Sequence, residues 1–230
     1  MTHTSMARSV SVVRRVCSVA LALFAIVPGI GCGGSGGGSP RSGSSGAQIP
    51  TPAATSTPTP SPVTTGDYYN SRYPRWTRLP IRVRFDRASG ITPEIESRLR
   101  QGMDAWKDGT GGRLTYRVTE DADADVEVTF REVGNTLHGV TEGSWYEDGA
   151  IVDMTIRLSE QAKTVSPLMQ ARIMAHEWGH ALGLIDNQPP HGHSDVAADR
   201  MSPVLNPNEP AANGLLTARD INTIRRLYGF

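Results

Sequence analysis

His176-Glu177-Trp178-Gly179-His180-Ala181-Leu182-Gly183 lies late in a chain of 230 residues. Residues four apart in an α-helix stand one turn from each other on the same face. The imidazoles of His176 and His180 can therefore converge on one metal ion, with Glu177 beside them to act on a water. Met174, Ala175, Ala181, Leu182 and Leu184 make the segment apolar around the histidines, as suits a buried helix rather than a solvated one. Gly183 supplies the stop, because glycine tolerates the left-handed conformation at a helix end.

Working upstream, Ser166-Pro167 opens this helix with a capping hydroxyl and a proline in the first turn. Before it, Ile151 to Leu158 alternates apolar and polar residues and reads as a strand. Gly134 to Gly149 reads as a loop and an irregular strand carrying His138 and Trp145. Val126 to Phe130, Leu114 to Val118 and Ile81 to Phe85 are further strands. Between the last two, Thr92-Pro93-Glu94 starts a helix whose apolar face is Ile95, Leu99, Gly102, Met103 and Trp106. Downstream, Thr217-Ala218-Arg219-Asp220 opens a closing helix with Ile221, Ile224 and Leu227 inward. Strands and helices alternate early, and the histidine helix follows the strands. The expected class is α+β, in a single domain over residues 67–230 long enough to bury one core.

Residues 1–32 read as an export signal. Arg8, Arg14 and Arg15 precede an apolar run from Val16 to Ile30, too short for a stable span and broken by Pro28 and Gly29. Gly29-Ile30-Gly31-Cys32 is similar to a bacterial lipobox, whose cysteine would carry a lipid. Residues 33–66 read as an unfolded tether, Gly/Ser-rich and then Pro/Thr-rich. The expected location is therefore exported, extracellular or tethered to the cell envelope, with membrane contact only through a lipid on Cys32. Both cysteines, Cys17 and Cys32, lie in the leader, so the domain is expected to have no disulfide. Formal charge is balanced, 23 basic against 23 acidic residues, which gives no electrostatic case for nucleic acid.

The domain resembles the matrixins, the matrix-metalloproteinase branch of the metzincins. The resemblance runs from Trp76 to Phe230 and rests on three ordered pieces: His176 to Leu184, Met201-Ser202-Pro203, and Leu216 to Gly229. Pro80 to Arg84, Ala105-Trp106 and Ala124 to Phe130 also fit in order. It implies a zincin fold, with a twisted mixed sheet of about five strands and three main helices, one carrying the zinc motif. It implies one catalytic Zn2+ held by His176 and His180, Glu177 as general base, and Met201 in a Met-turn packed beneath the ligands. The activity implied is that of a zinc metalloendopeptidase, a hydrolase acting on protein or peptide substrates, and a monomer is expected. Ile151 to Leu158 is expected to be the edge strand on which substrate lies, and Pro203 to Leu215 the wall of the adjoining pocket.

The third ligand is where the sequence departs from the family. Metzincins place a histidine three residues after the helix-ending glycine, and this chain has Asp186 there, a variant similar to the snapalysins. Matrixins place the methionine eight residues beyond the ligand, and that spacing leads from Met201 back to His193. His191 fits neither. His193 is the preferred reading, with Asp186 the alternative. The cysteines before the domain are Cys17 and Cys32 of the leader, so a latency-switch cysteine is not expected. His138 is the only histidine between the leader and His176, so a second structural zinc is not expected, and His138 is read as an exposed loop residue. A structural Ca2+ could be held by acids from Asp121 to Asp125 or by Glu147 and Asp148. A non-catalytic envelope module that keeps the fold is the competing function, and the intact Glu177 speaks against it.

Overall fold

The structure, a computed structural model, describes residues 19–22, 66–133, 137–204 and 214–230. Among them the architecture is α+β, with three α-helices and a mixed six-stranded sheet. The strands are β1 (Val19–Ala22), β2 (Ile81–Phe85), β3 (Tyr116–Val118), β4 (Val126–Phe130), β5 (Leu137–Trp145) and β6 (Ile151–Leu158). The helices are α1 (Pro93–Gly109), α2 (Pro167–Ala181) and α3 (Ala218–Tyr228). Across the sheet the order is β1-β5-β6-β4-β2-β3. β3, β2, β4 and β6 run parallel, β5 is antiparallel to β6, and β1 is antiparallel to β5. Five strands thus come from residues 67–230, and the sixth from the leader.

Period-2 patterning builds the sheet. Ile81, Val83 and Phe85 of β2 are buried, while Arg82 and Arg84 face outward. The outward residues meet opposite charges on neighbouring strands: Arg84 pairs with Glu127, its register partner on β4, and Arg157 on β6 pairs with Glu142 on β5. Such half-exposed pairs favour register more than they add stability.

Helix starts fall where the capping signals place them. Thr92 Oγ1 accepts from the Ile95 amide at 3.3 Å and Ser166 Oγ from that of Met169 at 3.3 Å. Thr217 and Asp220 form a reciprocal capping box on α3, whose Ile224 and Leu227 are buried. Every residue of α2 from Met169 to Ala181 is buried. It lies against α1, where Trp106 Nε1 donates to the Ala175 carbonyl at 2.7 Å. The close crossing depends on Gly102, where a Cβ would stand 2.3 Å from the Ala171 carbonyl oxygen. Trp106, Trp178 and Leu99 are all fully buried in the core, and burying a side chain of leucine size contributes about 1.5–3 kcal/mol.

The segment read as loop and irregular strand holds a nine-residue strand, β5, with a register shift between Ser144 and Trp145, and returns toward β6 through a turn in which the Tyr146 amide bonds Ala150 O at 2.9 Å. Two other expectations change. Because β5 covers it, β6 is an interior strand and not the edge where substrate was expected. His138, expected in an exposed loop, lies on β5 and is buried. The tether falls outside the described residues except for Gly66, as does the pocket wall over 205–213 and all of the leader except β1.

Candidate metal centre

Two histidines of the candidate centre are fixed by α2 itself. The Nδ1 of His176 bonds the Arg200 carbonyl at 2.8 Å, and the Nδ1 of His180 bonds the Leu184 carbonyl at 2.5 Å. A carbonyl only accepts, so each Nδ1 carries the ring proton and each Nε2 presents a bare lone pair. Those two Nε2 atoms stand 3.1 Å apart. Facing lone pairs at that distance repel, and a cation between them turns repulsion into ligation. The third imidazole, His193, brings a buried Nε2 with no hydrogen-bond partner. Ligand atoms of His176, His180 and His193 all lie within 4.8 Å of one another, so this group could hold a metal ion.

The electrostatics agree with that reading. Burial first, and then His193 nearby, brings the His176 pKa down to about 3. Burial likewise pushes His180 well below its usual value and His193 down to about 4. All three are neutral at pH 7, which is the state in which imidazole binds metal.

His193 reaches the site by a loop that folds back on the end of α2. Gly183 takes φ 108° as the helix ends, and Gly192 takes φ 88° just before the ligand. A Cβ on Gly192 would lie 2.0 Å from the Leu184 carbonyl oxygen, so only glycine lets the loop return so closely. The amide of His191 bonds Gln188 O at 2.8 Å and that of His193 bonds Pro190 O at 3.0 Å.

The competing ligands lie outside the group. Asp186 Oδ1 accepts from the Gln188 amide at 3.1 Å, and Oδ2 accepts from Asn70 Nδ2 at 3.1 Å and Arg72 Nε at 2.8 Å. Its spacing from Gly183 is that of a ligand, but its carboxylate is engaged with the turn and with residues more than a hundred positions upstream. His191 turns its Nδ1 to the Asp186 carbonyl at 3.0 Å.

Glu177 is fully buried. Thr141 on β5 donates its hydroxyl to Glu177 Oε2 at 2.7 Å, while Oε1 has no partner. Burial drives the carboxyl pKa up to about 8, and the Thr141 bond opposes the rise. A divalent cation held among the histidines would pull it down again. Met201 is fully buried and presses on α2 from below: a Cβ on Gly179 would meet its Sδ at 2.4 Å. Asp220 accepts from the Arg200 amide at 2.9 Å and the Met201 amide at 3.3 Å, tying α3 to the turn that holds His176.

Of the acids considered for calcium, Asp123 and Asp125 are both bonded to Arg82, and Asp148 Oδ1 accepts from the Ala150 amide at 3.0 Å. Sequence reasoning missed Thr141, Gly139 and Asp220. Gly139 is the clearest of these, because a Cβ there would stand 2.6 Å from Glu177 Oε1. A strand of unclear pattern gave no sign of either β5 residue, although the Thr217–Asp220 capping box did mark Asp220 as an engaged side chain.

No protein-family model matches the chain. The site can hold a cation on three neutral imidazoles, with a buried carboxyl of near-neutral pKa alongside.

Proposed function

We propose that the chain is a zinc-dependent endopeptidase of the matrixin type, with His176, His180 and His193 as ligands and Glu177 as general base. The observation that carries the reading is the coincidence of buried polar atoms without protein partners, His193 Nε2 and Glu177 Oε1, beside two facing Nε2 atoms. Three imidazoles suit zinc, whose catalytic sites keep three protein ligands and one open position, better than calcium or magnesium, which prefer oxygen. Zinc held there would supply Lewis acidity for a peptide carbonyl and acidify water. Glu177 Oε1 would take a proton from the attacking water as its oxygen bonds the carbonyl carbon, and would pass that proton to the amine nitrogen as the C–N bond breaks, while Thr141 fixes Oε2 and with it the aim of the carboxylate. An extended substrate pairs with the outer edge of β5, where residues 19–22 lie antiparallel in this structure. The arginine-led leader and Cys32 support export with a lipid anchor.

The test is proteolysis of an unfolded protein such as casein by the exported form, from Cys32 onward and so without residues 19–22, and by its Glu177→Ala variant, with zinc content measured in both. Cleavage by the parent alone, with zinc bound to each, is expected. Zinc in both and cleavage by neither contradicts the protease reading and favours a binding module built on the same fold.

A further inference from the structure

The loop that brings His193 to the metal has no regular secondary structure to hold it. Its anchor is Asp186, whose side chain is 7% exposed. Through Oδ1 the carboxylate caps the turn at Gln188, and the turn bonds that follow end at the His193 amide. Through Oδ2 it receives Asn70 at 3.1 Å and both Nε and a terminal nitrogen of Arg72, at 2.8 and 2.7 Å. Both guanidinium nitrogens meet the one oxygen, in charge-assisted contacts stronger than neutral ones. Asn70 and Arg72 belong to a strap that enters the domain directly after the tether. Further along α3, the strap is pinned by Tyr68, whose hydroxyl donates to Asp220 Oδ1 at 2.7 Å, and by Asp67, which pairs with Arg226 at 3.1 Å.

We propose that Asp186 and Arg72 are positioning residues for the third ligand, so that the strap at the start of the domain sets how firmly the site retains its metal. The proposal rests on the three-histidine metal site proposed above. A carboxylate at ligand-like spacing thus serves the site by holding the ligand's loop. Arg72 is 57% exposed at its side chain, so its truncation opens no cavity in the core and its effect travels through Asp186. Groups bonded directly behind a ligand change metal affinity by about 10- to 100-fold when removed, and Arg72, which acts through Asp186 and the turn, belongs at the lower end of that range.

The experiment loads the full chain with zinc and measures release to a chromogenic chelator in the parent, Arg72→Ala, Arg72→Lys and Arg84→Ala. Arg84 pairs with Glu127 on the sheet, away from the histidines, and serves as the matched control. Thermal melting of the metal-free proteins is measured in parallel. Arg72→Ala should release zinc about tenfold faster. Arg72→Lys should recover part of that, and Arg84→Ala should match the parent. Metal-free Arg72→Ala should melt within the shift seen for Arg84→Ala. Release from Arg72→Ala at the parental rate overturns the proposal. So does faster release that simply follows a lower metal-free melting temperature, which marks a general loss of stability. A parent that binds no stoichiometric zinc overturns the metal-site reading itself.

Discussion

The two halves of the histidine cluster are built differently. His176 and His180 are placed by one helical turn of α2, a helix buried along its length and pressed between α1, the sheet and Met201. His193 is placed by a loop whose shape depends on one glycine of positive φ and on a carboxylate bonded to residues 114 and 116 positions away. A helix repeats its geometry at every turn, so the first half tolerates change around it. The second half depends on contacts that single substitutions remove. The histidine cluster therefore has one rigid side and one conditional side.

The largest expected effect lies on the rigid side. His180→Ala should weaken zinc binding by more than the ~10- to 100-fold typical of losing an outer partner, because a coordinating atom itself is lost. Equilibrium titration against a competing chelator checks this. Affinity within tenfold of the parent would break the comparison at its stronger end.

Gly192→Ala tests the conditional side. An alanine at φ 88° is strained by about 1–3 kcal/mol, and its Cβ meets the Leu184 carbonyl. Zinc affinity should fall while the far-ultraviolet signal of the helices stays unchanged. A smaller effect is expected in hydrogen exchange. Amides of residues 187–195 should exchange before those of 173–181, since loop contacts open at lower free energy than a buried helix. Equal protection would remove the distinction.

A separate effect is on pH. In the metal-free protein the three histidines have folded-state pKa values below the usual ~6.5, so the unfolded chain takes up protons that the folded chain does not. Their contribution to stability is complete above ~6.5 and is lost as pH falls toward 3–4. Glu177 runs the other way. With its pKa raised to about 8, its contribution is lost as pH rises from ~4.5 through 8. Denaturant unfolding should show metal-free Glu177→Gln gaining stability relative to the parent between pH 5 and 8. A constant difference across that range would contradict the burial of the charge.

What could be read in the sequence follows the same division. Helix caps at Thr92, Ser166 and Thr217 and the alternation of β2, β4 and β6 are local signals, and the structure places each element there. The pair His176 and His180 is also local. The edge of the sheet was misjudged because strand order is a long-range property: β6 alternates as an edge strand does, yet β5 covers it. Asp186 kept the spacing of a ligand because spacing says nothing about which distant cation a carboxylate meets. Arg72 decides that, and no local pattern at Arg72 points to it. Thr141 escaped for the same reason, since its partner Glu177 is 36 residues away.

In the proposed site three imidazoles, and no carboxylate, bind the metal. X-ray absorption at the zinc edge on the full chain tests this in the parent, Asp186→Ala and His193→Ala. Three imidazole nitrogens at about 2.0–2.1 Å are expected in the parent and in Asp186→Ala. In His193→Ala two are expected, or no retained zinc. Loss of a ligand in Asp186→Ala, with the His193→Ala spectrum matching the parent, would contradict it.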